Sequence, residues 1–212
     1  MLPTILLFRH GETHWNRLKR IQGHTDAPSP LTLAGIDQSR AYGRAVRSVT
    51  GGEGGWRVMA SPLARCVQTA AILCETADLP FADIIFDDRL REVDTGAFSG
   101  LTKAELEQRH PELLAQSGLK AWYFSCPGGE SWEDMAGRMG AWLAEQRAGD
   151  RLVVVTHGVA GKVLRALYGG IRPEQALAED APQDALFLLR GGTVSRFACN
   201  DAVKMLECTA AN

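Results

Sequence analysis

A chain of 212 residues, 45% hydrophobic and 23% charged, is long enough to bury a sizeable core and short enough to be one domain. Its formal net charge of −2 excludes a global basic field for nucleic acid or an anionic membrane surface, so any anion site must be a local basic cluster. Five cysteines without a C-x-x-C pair argue against a disulfide framework and a structural zinc site, and fit thiols in a reducing cytosol.

The opening Leu2-to-Phe8 stretch is too short for a signal-peptide core and lacks a preceding positive region. No segment approaches the roughly 20 apolar residues of a membrane span, so a soluble cytoplasmic protein is expected. Ile5 to Phe8 is a continuous apolar run, the pattern of a strand buried on both faces. Thr32 can cap a helix running to about Val49, ahead of the glycine-rich 51–55 stretch. Trp56 to Ala60 is a weaker strand candidate. Ser61 followed by Pro62 reads as an N-cap with proline at the first helical position, and that helix carries Leu63, Val67, Ala70, Ala71 and Leu73 toward the sheet.

Ile84 to Phe86 reads as a third buried strand. Thr102 with Glu105, and Ser131 with Asp134, have capping-box spacing. The first of these helices should stop near His110-Pro111 and the second should run to about Arg147. Leu152 to Val155 is another buried strand, and the last helix follows Gly158 and ends at Gly169-Gly170. Ala185 to Leu189 and Thr193 to Ala198 flank Arg190-Gly191-Gly192 and read as a hairpin. Strands alternating with helices predict an α/β fold, a three-layer α/β/α sandwich whose central sheet is mostly parallel with an antiparallel edge. Residues 1–212 read as a single domain, in which a helical segment at about 100–127 can form a lid.

Four short segments carry chemistry. Arg9-His10-Gly11 follows the first strand directly, and ligands of open α/β sheets bind at the carboxyl ends of strands. The glycine would let a substrate approach the backbone. Thr156-His157-Gly158 repeats the arrangement before a helix, whose first N–H groups would add anion affinity. Two histidines alone are a poor zinc set, and no H-E-x-x-H motif completes it. Arg65, in the first turns of a helix, joins Arg9 as a second bidentate fork for phosphate oxygens. Leu90-Arg91-Glu92-Val93-Asp94 supplies loop carboxylates, with Asp94 the rival to Glu92 as proton donor.

The combination resembles the histidine phosphatase superfamily, in the branch that holds the cofactor-dependent phosphoglycerate mutases and many small-molecule phosphatases. The matching blocks are Arg9-His10-Gly11-Glu12-Thr13 with Asn16, Ser61-Pro62-Leu63 with Arg65 and Gln68-Thr69-Ala70, Leu90-Arg91-Glu92 with Gly96 and Gly100, and His157-Gly158. The resemblance implies a phosphoglycerate mutase-like fold and a phosphohistidine on His10. Arg9, Arg65, Asn16 and a protonated His157 would hold the phosphoryl oxygens, and Glu92 would protonate the leaving alkoxide and then deprotonate water. Gln22 and Gly23 would border the substrate. No metal or cofactor is expected.

The mutases of this family carry an extra lid segment with adjacent arginines between the acid and the second histidine. Here that interval holds Arg109, Arg138, Arg147 and Arg151, none adjacent to another, which favours hydrolysis of a small-molecule phosphate ester over isomerisation. A phosphoglycerate mutase and a non-catalytic phospho-ligand binder are the alternatives. The 24–31 loop is longer than the family's, so the natural substrate stays unassigned. His24 is expected to be solvated, and Trp122, Tyr123, Phe124 and Trp132 to pack in the core. No nucleic-acid or membrane partner is expected, and a homodimer is compatible with the chain.

Overall fold

The computed structural model describes residues 2–25, 29–51, 55–112 and 122–199. The elements run β1 (Thr4–Arg9), α1 (His14–Arg17), α2 (Leu33–Thr50), β2 (Trp56–Ala60), α3 (Ala64–Ala77) and β3 (Ile85–Phe86). They continue with α4 (Lys103–Arg109), α5 (Trp132–Ala144), β4 (Arg151–Thr156), α6 (Gly158–Gly169), α7 (Pro173–Ala178), β5 (Ala185–Arg190) and β6 (Thr193–Ala198). The sheet order is β3-β2-β4-β1-β5-β6. β1, β4, β2 and β3 are mutually parallel, whereas β5 pairs antiparallel with β1 and turns into β6. The expected mostly parallel sheet with an antiparallel edge hairpin is thus present.

Period-two alternation along β1 explains the three layers. Leu6 and Phe8 pack with Tyr42, Val46 and Leu73 of α2 and α3 on one face. Ile5 and Leu7 pack with Met135, Trp142 and Val163 of α5 and α6 on the other. Each such fully buried side chain is worth about 1.5–3 kcal/mol relative to exposure. Because both faces are covered, β1 and β4 need no polar alternation, and their sequences have none.

Capping chemistry sets most helix ends. The Thr32 hydroxyl accepts from Gly35 N–H to start α2, and Gly51 closes that helix in the left-handed region. Thr102 with Glu105 and Ser131 with Asp134 form the expected capping boxes of α4 and α5. α5 ends at Ala144 rather than near Arg147. α6 closes at Gly170, as its sequence suggested, but it is followed by a further short helix, α7.

Two expectations are corrected. Ser61 is not the cap of α3: Leu63 occupies that position without a side-chain bond, while the Ser61 hydroxyl accepts from Leu63 N–H at 3.3 Å and meets His157 Nε2 at 2.8 Å. β3 is not a doubly buried strand. It is a two-residue edge paired only with β2, leaving Ile85 and Phe86 about 41% and 40% exposed. Within the 100–127 segment expected as a lid, α4 and the turn Trp122–Phe124 are described, while residues 113–121 lie outside the described residues.

Candidate active site

Register, not sequence proximity, brings the two histidines together. The β1–β4 ladder pairs Arg9 with Thr156, and His10 N–H extends it by donating to Thr156 C=O at 2.9 Å. The next residue of each strand is therefore a histidine at the same sheet edge. Their ring centroids stand 5.3 Å apart, edge to face, and both residues are almost fully buried. Burial, reinforced by Arg65 and Arg9, pushes His10 well below its ordinary pKa; burial, Arg65 and then His10 do the same to His157. Both rings are thus neutral.

Their tautomers follow from their partners. His10 Nδ1 lies 2.8 Å from Gly11 C=O, which can only accept, so Nδ1 carries the proton and Nε2 carries the lone pair. His157 is the reverse: Arg65 Nε–H donates to its Nδ1 at 3.1 Å, so its Nε2–H donates to Ser61 Oγ. His157 is expected to be protonated beside a phosphate dianion; with no dianion there its ring is neutral. With both nitrogens engaged, the ring sits behind Arg65 and orients that guanidinium, which also donates to Gly23 C=O at 2.7 Å.

A cavity of about 180 Å³ opens over these groups, and Arg9, His10, Asn16, Gln22, Gly23, Arg65 and Glu92 all line it. Seven of the eight site residues read from the sequence therefore converge; His157 is the one set back. Arg9 donates to Ala181 C=O at 2.5 Å, and its Nε is buried without a hydrogen-bond partner among the described residues. A buried unpaired guanidinium nitrogen is a standing donor for an anion. Asn16 Oδ1 accepts from Thr13 N–H and from Gln183 Nε2, which leaves its NH2 group as the donor to the cavity.

Glu92 reaches the cavity by an unexpected anchorage. Its Oε1 accepts from Ala160 N–H and Val93 N–H, and its Oε2 from Val159 N–H. The α6 N-terminus expected to bind substrate anion holds this carboxylate instead. Asp94, the rival donor, turns away: its Oδ1 accepts from Gly96 N–H, and its Oδ2 lies 3.7 Å from His24 Nδ1. His24 is not a solvated loop residue, since its Nε2 donates to Glu92 C=O at 2.6 Å.

Gly11 is required for a different reason from the one expected. A Cβ there would stand 2.4 Å from Gly35 C=O, so the glycine admits the start of α2 rather than a substrate. Further residues shape the site without having been recognised in the sequence. Gln183, before β5, donates to His10 C=O. Arg138 forks onto Glu130 and donates to the carbonyls of Arg89, Arg91 and Glu92. Arg20, Thr95, Trp122 and Tyr123 also line the cavity, whereas Phe124 and Trp132 pack on the second core as expected. No group of three His, Cys, Asp or Glu side chains is placed to hold a metal ion among the described residues. Nor, among them, is any helix long and apolar enough to cross a membrane.

Residues 5–190 match the histidine phosphatase superfamily (branch 1). The chain belongs to that superfamily. Among relatives of this superfamily, the probable phosphoglycerate mutase GpmB of Salmonella paratyphi C is 36% identical over 159 residues, which is 74% of this chain and 70% of that protein. The mycobacterial glucosyl-3-phosphoglycerate phosphatase, solved with VO3, superposes with a TM-score of 0.73 at 25% identity, covering 92% of this chain and 97% of that one. YhfR of Bacillus stearothermophilus has a TM-score of 0.72 at 28% identity, with 92% and 96% covered. Histidine phosphatase membership makes the chain a phosphatase- or mutase-like enzyme and accounts for the strand-end histidine pair.

Proposed function

We propose that this chain is a metal-independent phosphomonoesterase that acts on a small phosphorylated metabolite through a phosphohistidine on His10. The observation that carries the reading is the fixed tautomer of His10. With the proton held on Nδ1 by Gly11 C=O, Nε2 offers a lone pair inside a cavity lined by Arg9 and Arg65. Nε2 attacks phosphorus in line, the P–O bond to the alcohol breaks, and Glu92 gives the departing alkoxide a proton. Glu92 then takes a proton from the water that attacks the phosphohistidine, releasing phosphate and restoring His10. Glu92 Oε2 accepts only one of the three N–H bonds, so it keeps a lone pair on which that proton can sit. Arg9, Arg65 and the Asn16 amide offset the charge gathered on the phosphoryl oxygens.

The GpmB likeness favours a second reading, phosphoglycerate isomerisation. Against it, Arg138 is spent on Glu130 and three backbone carbonyls and cannot also grip a substrate carboxylate. The test is release of p-nitrophenol from its phosphate ester in EDTA. Wild type is expected to be active, and His10→Ala to lose roughly a thousandfold or more. Equal rates would remove His10 as nucleophile, and loss of activity in EDTA would remove metal independence. Efficient conversion of 3-phosphoglycerate with 2,3-bisphosphoglycerate present would overturn hydrolysis in favour of the mutase.

A further inference from the structure

We propose that Tyr123 determines substrate choice, its Oη donating a hydrogen bond to an oxygen on the alcohol portion of the phosphate ester. The inference rests on the phosphomonoesterase reading and names a class within it: esters whose carbon skeleton carries hydroxyl, carbonyl or carboxylate oxygen close to the phosphate.

Tyr123 lies in the turn Trp122–Phe124 and lines the same cavity as His10 and Glu92. Its ring is held edge-on between its two aromatic neighbours, with centroids 5.5 Å from Trp122 and 5.0 Å from Phe124, and it packs on the core cluster of α5 and α6. The ring is therefore positioned by apolar contacts. The hydroxyl is not: Oη is buried and has no hydrogen-bond partner among the described residues. Buried hydroxyls are ordinarily paired, and an unpaired one is costly to keep. Phenylalanine would fill the same aromatic pocket without that cost, so the oxygen has a use outside the ligand-free structure.

The use is donation. Burial, with the Glu92 carboxylate nearby, pushes the Tyr123 phenol above its ordinary pKa, so it keeps its proton at any working pH. The phosphoryl group is already provided for by Arg9, Arg65 and Asn16 around His10, and Glu92 faces the bridging oxygen. Tyr123 lines the cavity together with Glu92, whose charge acts on it; with Glu92 as the acid, the alcohol portion of the ester is the part that Oη would meet. An aryl leaving group without further oxygen would leave Oη unpaired, whereas an oxygenated skeleton satisfies it. A site built to pair a buried polar group discriminates sharply against ligands that leave it unpaired.

The experiment compares wild type with Tyr123→Phe on phenyl phosphate and on three oxygenated esters: glucose 6-phosphate, ribose 5-phosphate and 3-phosphoglycerate. Phenyl phosphate kcat/KM is expected to change less than that of the oxygenated esters. For at least one oxygenated ester, kcat/KM is expected to fall by about tenfold or more, the worth of one hydrogen bond to a buried donor. The Tm is expected to hold or rise, because no protein bond is removed. An equal change on all four esters, or no oxygenated ester turned over faster by wild type than by the variant, overturns the assignment. So does a clear drop in Tm, which would mean that the hydroxyl supports the fold. Absence of His10-dependent hydrolysis of phenyl phosphate by wild type would instead remove the phosphomonoesterase reading itself, and this proposal with it.

Discussion

At the residue scale, the division of labour turns on which atoms are already engaged. Cys66 shows it from the negative side. Its Sγ lies 3.4 Å from His157 Nε2 and donates to Thr156 C=O, yet burial pushes its thiol up to about 12, so it stays a packed thiol and not a rival nucleophile. Glu92 shows the positive side, since three backbone N–H groups fix its carboxylate without any side-chain partner among the described residues. Replacing it by Gln keeps the size and removes the transferable proton. Glu92→Gln is expected to lower kcat by roughly a hundredfold or more on an alkyl phosphate, whose alkoxide needs protonation, and by much less on p-nitrophenyl phosphate. Steady-state kinetics on the two esters checks this, and an equal loss on both would take the acid role away from Glu92. The nucleophile was readable because His10 follows a strand-like run directly; Arg65 and Glu92 were readable from the short motifs around them, Ser61-Pro62-Leu63 and Leu90-Arg91-Glu92. Gln183, Arg138 and Tyr123 were not, because backbone carbonyls, a cavity and side chains remote or unpatterned in sequence are what they meet, which leave no spacing signal.

At the scale of elements, the acid loop is the piece most dependent on a remote helix. Arg138 of α5 ties it at Arg89, Arg91 and Glu92, while Glu130 N–H donates to Asp94 C=O and closes the loop from the other side. The Pro127-to-Ser131 stretch is the backbone brace of this loop; Ala97 N–H donates to Pro127 C=O. Arg138→Met leaves the largely buried Glu130 carboxylate without its cation and takes a donor from the carbonyls of Arg89, Arg91 and Glu92. It is expected to destabilise the protein by about 3–5 kcal/mol, read by urea unfolding, and to lower kcat through the displaced Glu92. Elements with strong local signals were legible to within a few residues, as in α2 and α6. β3 was misjudged because an apolar triplet looks alike at a sheet's centre and at its edge, and only pairing decides between them. The start of α3 was misjudged by about two residues: the Ser61 hydroxyl does accept from Leu63 N–H, but regular helix begins only at Ala64.

At the scale of the whole molecule, the buried neutral histidines link stability to pH. An unfolded chain takes up a proton on each as pH falls through about 6.5, while the fold holds both rings well below that value. Their contribution is therefore fully present above about pH 6.5 and is lost as pH falls toward the folded-state values, at about 1.4 kcal/mol per pH unit for each ring. His157→Gln can still donate to Ser61 and accept from Arg65, and it should flatten the decline in unfolding free energy between pH 7 and 5 by about one proton. An unchanged slope would mean that His157 titrates alike in both states. The sheet order also has a consequence for how the chain is made. Of the strands of this sheet β1 is made first, yet its neighbours are β4 and β5, encoded far downstream. At about 5–20 residues per second, synthesis leaves the bare Ile5-to-Phe8 strand without either partner for roughly ten to thirty seconds. During that interval it depends on chaperones and on the growing chain around it, so slowed initiation and lower temperature should raise the soluble yield more than a stronger promoter.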